Sequence, residues 1–290
     1  MLSNTTKATI KAFKKQYDKL RVGRGSLLQL LQESELPELV YNSNAIENST
    51  LTLQETERIL LELEVARHVS VRELFEAKNL ARVTEYLKSK PDLYLSIDNI
   101  LLLHQMLLGG INDAIAGRLR AEGEFVRIGT YIAPAPEQVE RLLGNLITSY
   151  SSNHDMYFLE NIAYYHLEFE RIHPFLDGNG RLGRLLINQQ LASLGYPPII
   201  IRAKSKHKDY YPQFQKYQET QNIKEIKSMA QLLALSLMES LHKRLAYLDG
   251  KDIIRLSDYA KQRQEPLNAL INSAKRQKIP AFREKGVWKI

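Results

Sequence analysis

Residues 173–184 read His-Pro-Phe-Leu-Asp-Gly-Asn-Gly-Arg-Leu-Gly-Arg. An imidazole, a carboxylate, an amide, two guanidiniums and several glycines crowd into this stretch, and a hydrophobic core needs none of them. An imidazole takes up a proton near neutral pH. A carboxylate offers hard oxygen to Mg²⁺, which keeps most of its waters and bridges phosphates. A glycine-rich turn entering a helix presents unpaired amides, and the missing Cβ atoms let phosphate approach the backbone. Arg181 and Arg184, three residues apart, lie on neighbouring positions of one helix face, where guanidinium groups fork onto phosphate oxygens. A base, a metal ligand, an anion hole and an arginine clamp in one turn suit phosphoryl or nucleotidyl transfer.

Gly178, Gly180 and Gly183 also match G-x-G-x-x-G, the dinucleotide fingerprint. That fingerprint follows a strand and needs an acid about twenty residues on. Here the pattern follows a helix, the region near position 200 reads Pro-Pro-Ile-Ile-Ile-Arg, and the next acid is Asp209. The Rossmann reading is rejected.

The elements that position this stretch are helical. Apolar spacing predicts helices over 3–20 and 25–33, and another opening near Pro37 and stopping at Asn48-Ser49-Thr50. Thr52-Leu-Gln-Glu55 has the form of a capping box, so a helix runs about 53–64. Further helices are expected over 71–89, from Ser96 to Gly109-Gly110, over 137–151 and over 157–172, the last broken by Pro174. Glycines punctuate 117–135, and Phe125–Ile132 reads as a short hairpin. A helix opens within Gly178-Asn-Gly and runs to Gly195, followed by helices at about 206–221 and 223–248.

Composition bounds the function classes. The 290 residues are 44% hydrophobic and 25% charged, as in ordinary globular chains. No run approaches the roughly 18 apolar residues of a membrane span. There is no cysteine, which removes disulfides and thiolate metal sites. No apolar signal core opens the chain, and Lys7, Lys11, Lys14 and Lys15 read as a solvated helix face rather than a transit peptide. A cytoplasmic location is the expectation. Of the net charge of +7, residues 251–290 carry +6, from ten Lys/Arg against four Asp/Glu.

The twelve-residue stretch resembles the signature of Fic-domain proteins, His-Pro-Phe-x-Asp/Glu-Gly-Asn-Gly-Arg-x-x-Arg, with every fixed position matched. The resemblance runs from near 41 to about 222. It implies transfer of AMP from ATP to a Ser, Thr or Tyr hydroxyl of a target protein, with ATP and Mg²⁺ required. His173 matches the general base and Asp177 the metal ligand. Gly178, Asn179 and Gly180 match the anion hole, Arg181 the β-phosphate ligand and Arg184 the γ-phosphate ligand. Phe175 anchors the loop. Ile128, Gly129, Thr130 and Tyr131 fall on the family's flap, where an extended target segment docks. Tyr210 and Tyr211 match an aromatic pair near the adenine pocket.

Ser43-Asn-Ala-Ile-Glu47-Asn48 resembles the family's inhibitory motif. Glu47 at a helix end would pair with Arg184 and keep ATP from seating its phosphates. The equivalent glutamate in some members orients a water for removal of AMP, and the sequence leaves both roles open. Dimerisation is one route to releasing Glu47, and a homodimer is left open.

His166, Glu170 and His173 share a helical face at i, i+4 and i+7. A hydrogen-bonded core His166 is the stronger reading there than a metal site. In the tail, Ser257 reads as an N-cap, Leu267–Arg276 as a second helix, and Ile279–Ile290 resembles the β-wing of excisionase-like helix-turn-helix modules. With its charge, DNA is the expected partner of residues 250–290.

The plan is a mainly α protein. Residues 1–95 form a helical region holding the inhibitory motif 43–48, and 96–222 a Fic-type core with a small β-hairpin flap. Residues 223–249 form a connecting helix and 250–290 a small winged-helix-like domain. The leading reading is an autoinhibited protein adenylyltransferase. The competing one is a DNA-binding regulator whose Fic site binds or senses nucleotide.

Overall fold

The computed structural model describes residues 1–65, 67–220, 222 and 225–290. Helix α7 (Phe158–Ile172) is apolar on both sides and is the centre of the molecule. Its Leu159, Ile162, Ala163 and Leu167 enter one core with Ile10, Leu233, Leu237 and Leu241, from α1 (Asn4–Leu20) and α10 (Ile226–Leu248). Its Tyr165, Phe169 and Ile172 enter a second core with Leu80, Leu103 and Leu143. These come from α4 (Val71–Ser89), α5 (Ile97–Leu108) and α6 (Pro136–Ser152).

Helix α8 (Asn179–Ser193) is divided in the same way, with Ile187 and Leu191 in the first core and Leu182, Leu185 and Leu186 in the second. The loop between α7 and α8 is therefore held by two helices anchored in both cores. No helix among the described residues is long and apolar enough to cross a membrane.

One expectation needs correction. Residues 25–33 and the segment opening at Pro37 are not two helices. They form one, α2 (Gly25–Ile46), with Pro37 inside it. An interior proline leaves the carbonyl four residues back without its bond. Here that is Glu33, which is exposed, so water can satisfy it. Buried Leu31, Glu35, Glu38 and Val40 hold both sides in register.

Helix α3 (Leu53–Leu60) carries the full Thr52–Glu55 capping box but ends four residues before the expected 64. The flap is two residues per strand, β1 (Arg127–Ile128) against β2 (Tyr131–Ile132), with Gly129 at φ +60° in the turn. A 3₁₀ turn (Ala203–Ser205) precedes the expected helix at 206–221, which begins as a π turn (Lys206–Tyr210) before α9 (Tyr211–Thr220). Residue 221 and the expected helix start at 223–224 lie outside the described residues.

The C-terminal segment forms α11 (Leu256–Arg263), α12 (Leu267–Lys275) and a wing of β3 (Phe282–Glu284) and β4 (Val287–Lys289). Ser257 is inside α11, and Arg255 stands at the N-cap instead. Leu256, Ala260, Leu270, Ala274 and Ala281 make a small core of their own. The wing is also tied to the body by charge. Arg283 Nη2 donates to Glu239 Oε2 on α10 at 2.6 Å, and Arg202 donates to both Glu239 and Glu38 of α2. The amides of Lys285 and Gly286, in the wing turn, donate to Glu38 at 3.2 Å.

Candidate active site

The loop begins with backbone strain. His173 ends α7 at φ 50°, ψ 63°, a left-handed conformation that costs a non-glycine residue energy. Pro174 behind it disfavours helical geometry. Arg120, 4% exposed, holds the strained turn in place. Its guanidinium donates to the carbonyls of His173 (2.8 Å), Ile172 (3.2 Å), Pro134 (2.8 Å) and Glu124 (3.0 Å). One side chain thus joins the end of α7 to both flanks of the flap. No pattern in the sequence singles Arg120 out.

Phe175 is fully buried and stacks on His104, with ring centroids 3.7 Å apart. His104 Nδ1 accepts from the Gly117 amide and its Nε2 donates to the Asp177 carbonyl, each at 3.0 Å. Burial pushes His104 down to about 4, so it stays a neutral structural group. A lone histidine in the apolar stripe of a helix carried no signal of this.

The Asn179 side chain spans the loop. Its Oδ1 accepts from the Phe175 amide (3.0 Å) and its Nδ2 donates to the Phe175 carbonyl (2.8 Å). The Asn179 side-chain amide is therefore committed to the loop. Gly178 has φ +83°, and a Cβ there would meet Leu108 Cδ2 at 2.7 Å, so only glycine fits. The first amide of α8 satisfied inside the helix is that of Leu182, on the Gly178 carbonyl at 2.9 Å. The amides of 179–181 are the open end of the helix dipole.

His173 begins the loop that leads to this end. Its Nδ1–H donates to the Glu170 carbonyl at 3.3 Å, a tautomer that leaves the lone pair on Nε2. Burial, reinforced by Arg120, pushes the imidazole down to about 4, so it is neutral and able to accept a proton.

Burial would raise the Asp177 carboxyl, but Arg181 and Arg72 hold it below the usual range. Arg181 Nη2 donates to Asp177 Oδ1 at 3.0 Å. The Arg181 Nε and Nη1 are buried without a hydrogen-bond partner, although Nη1 lies 3.0 Å from Glu76 Oε1 in poor alignment. A buried guanidinium with Nε open and Nη1 held only by a poorly aligned ion pair, beside a helix N-terminus, fits an anionic ligand of many oxygens.

A single carboxylate at Asp177 suits a Mg²⁺ ion that takes its other oxygens from water and phosphate. Among the described residues no group of three or more His, Cys, Asp or Glu forms a metal cage, the 166/170/173 face included.

Arg184 is fully engaged. Its Nε donates to Ser43 Oγ (3.0 Å), and its Nη2 to the Ser43 carbonyl (2.9 Å) and Glu47 Oε1 (2.8 Å). Glu47 stands at the C-cap of α2. Lys206 Nζ donates to the carbonyls of Ala45 and Ile46 at 2.9 Å, and the Tyr211 hydroxyl also donates to Ile46, so the end of α2 is pinned. Tyr210 is buried, its hydroxyl 2.7 Å from His166 Nε2 and 3.5 Å from Arg184 Nη1. Tyr210 is thus an inward-facing partner of the arginine, while Tyr211 holds the end of α2.

Ile128, Gly129, Thr130 and Tyr131 form the tip of the flap. The structure places Arg72 and Glu76 of α4 against Asp177 and Arg181, partners the sequence did not announce.

The chain is similar to known proteins over this region. Residues 94–191 match the Fic/DOC family. Over 182 residues the chain is 37% identical to a protein adenylyltransferase Fic from Nematostella vectensis, a match covering 59% of this chain and 41% of that relative. The chain thus spans about two fifths of that relative's length. A Fic domain containing signaling protein from Bacteroides thetaiotaomicron superposes with a TM-score of 0.74 at 24% identity, covering 84% of this chain and 97% of that one. Fic-1 of C. elegans, residues 134–508, superposes with a TM-score of 0.70 at 24% identity, covering 85% and 73%. Residues 94–191 thus carry the likeness to the Fic/DOC family, and the fold is that of the Fic-domain structures.

Proposed function

We propose that the protein transfers AMP from ATP to a hydroxyl side chain of a target protein, and that it rests in a self-inhibited state. The observation that carries the reading is that the Asp177 carboxylate and the buried Arg181 guanidinium, its Nε open, meet at one helix N-terminus on the loop that a neutral His173 begins. The target hydroxyl oxygen attacks the α-phosphorus, and its proton passes to His173 Nε2. The bond from the α-phosphorus to the bridging oxygen breaks, and pyrophosphate leaves. Amides 179–181 stabilise charge on the transferring group, with Arg181 and Arg184 on the β- and γ-phosphates. Asp177 would hold Mg²⁺, which supplies charge neutralisation across the phosphates. The flap offers main-chain edges to an extended target segment.

Support for self-inhibition is the pairing of Glu47 with Arg184, since the same guanidinium cannot also take a γ-phosphate. Glu47→Gly is expected to raise auto-adenylylation at least tenfold, read by mass spectrometry of the AMP adduct after incubation with ATP. No adduct in either protein would overturn the transferase reading. Equal adducts in both would remove Glu47 from the mechanism.

A DNA partner for the tail has one observation in its favour. Asn268, Asn272 and Lys275 of α12, with Arg276 at its C-cap and Lys278 beyond it, are all exposed. Paired amide and basic side chains on one helix suit base edges and phosphates. Salt-dependent retention of duplex DNA by the full chain, lost in Lys275→Glu/Arg276→Glu, is the test.

A further inference from the structure

Asp177 is occupied on both oxygens. Arg72 Nη2 donates to Oδ2 at 2.5 Å. Arg181 donates to Oδ1 at 3.0 Å, and the Gly178 amide donates to the same oxygen at 2.6 Å. Glu76, one turn after Arg72 on α4, closes the figure. Its Oε1 accepts from Arg72 Nε at 3.0 Å and lies 3.0 Å from Arg181 Nη1. Two cations and two anions alternate in a ring across the phosphate seat.

The two arginines differ in what they do next. Arg181 belongs to α8, is almost wholly buried and keeps its Nε without a partner. Arg72 is at the start of α4, with a side chain 56% exposed. A divalent cation at Asp177 needs a carboxylate oxygen at about 2.0–2.1 Å. It cannot take that position while a guanidinium holds Oδ2 at hydrogen-bond distance, and like charge opposes its approach. Arg72 has somewhere to go. Glu76 already accepts from its Nε and keeps the side chain on α4 when Nη2 lets go. The retreat costs one exposed ion pair, which is a small term.

We propose that Arg72 is a second inhibitory group of this protein, a cation that stands in the place of the divalent metal at Asp177 and withdraws onto Glu76 when the metal enters. This rests on the reading of Asp177 as the metal ligand. It is separate from Glu47: Glu47 reaches Arg184 from α2, whereas Arg72 reaches Asp177 from α4. Nucleotide loading then requires two independent releases, one at the γ-phosphate arginine and one at the metal carboxylate. Removing Glu47 alone leaves the second in force.

The test uses the full chain carrying Glu47→Gly, with Mn²⁺ as the probe and an ATP analogue bearing a methylene between the α- and β-phosphates. Free Mn²⁺ is followed by electron paramagnetic resonance. Adding Arg72→Gln is expected to tighten Mn²⁺ binding about three- to tenfold, the range for loss of one partly exposed like charge. Arg72→Lys, which keeps the charge, is expected to stay within about twofold of its parent. Unchanged or weaker Mn²⁺ binding in Arg72→Gln, or the same tightening in Arg72→Lys, overturns the proposal. Absence of any Mn²⁺–analogue complex in all three proteins overturns the metal–nucleotide reading of the site itself.

Discussion

Gly180 and Glu47 compete for one volume: a Cβ on Gly180 would lie 2.2 Å from Glu47 Oε1 and 3.1 Å from Arg184 Nη1. The glycine leaves a hollow beside the helix end, and the carboxylate of α2 fills it. A phosphate oxygen is an anionic acceptor like the Glu47 carboxylate, so on the proposed function the two would compete for the hollow. Gly180→Ala pushes aside only the end of a flexible side chain, and its stability cost is expected to stay under about 1 kcal/mol. The methyl also fills the phosphate seat. The variant should therefore lose nucleotide affinity without gaining transfer activity, in contrast to Glu47→Gly. Calorimetry with the ATP analogue separates the two.

His173 is the second test. His173→Ala in the Glu47→Gly background is expected to lower transfer by about 10²–10⁴-fold while nucleotide affinity stays within about twofold. Because burial holds the imidazole down to about 4, the rate should be insensitive to its titration between pH 6 and 8 and should fall below about pH 5. An acid limb centred near 6.5 would show that the base is solvated in the working enzyme.

Asn179→Ala addresses the loop rather than the chemistry. It leaves the buried amide and carbonyl of Phe175 unpaired, with an expected loss of about 1–3 kcal/mol. A lower Tm with retained helical circular dichroism is the readout. An unchanged Tm would mean that water replaces the side chain.

Arg120→Lys keeps the charge but cannot fork onto four carbonyls. The flap base and the end of α7 should loosen together. The expected result is a fall in kcat of about tenfold or more, with KM for ATP nearly unchanged, since the phosphate seat is built from α8. A pure KM effect would place Arg120 in nucleotide binding instead.

Glu170 is buried, and burial, with Glu47 adding to it and Arg184 opposing it, pushes the carboxyl up to about 8. Folded protein holds a proton that the unfolded chain releases above its ordinary value of 4.5. This contribution to stability is whole at low pH and is lost as pH rises toward 8. Buried His104, His166 and His173 act at the other end. Each sits well below 6.5 in the folded state, so stability falls as pH drops from 6.5 toward 4. In Glu170→Gln the alkaline loss should vanish. Its Tm relative to the parent should climb between pH 5 and 9, and a constant difference would exclude the carboxyl as the source.

What the sequence displayed and what it hid divide along one physical line. Residues 173–184 are consecutive, so one turn brings its own groups together and could be read directly. Ser43 and Glu47 were legible because they share a helix end with the spacing of a short motif. Arg120, His104, Arg72 and Glu76 act through contacts across the fold, and no local pattern marks an arginine that will find four carbonyls. Pro37 misled for the opposite reason, since a local rule was overridden by the burial of Leu31, Glu35 and Val40 on either side. Tyr210 stood at the expected point in the chain, yet its orientation depended on His166 and Arg184.

The wing's hold on Glu38 and Glu239 bears on how the protein can be dissected. A fragment ending near residue 249 would lose Arg283 and the Lys285 and Gly286 amides, leaving Arg202 alone between two buried carboxylates. Each carboxylate keeps Arg202 but loses its other donors, which shifts the charge balance at this end of α2. Glu38 lies on the same unbroken helix as Ser43 and Glu47, so the shift falls on the element that grips Arg184. A truncated chain with altered activity would then report an unbalanced charge on α2 as much as a missing module, and point changes on α12 are the cleaner instrument.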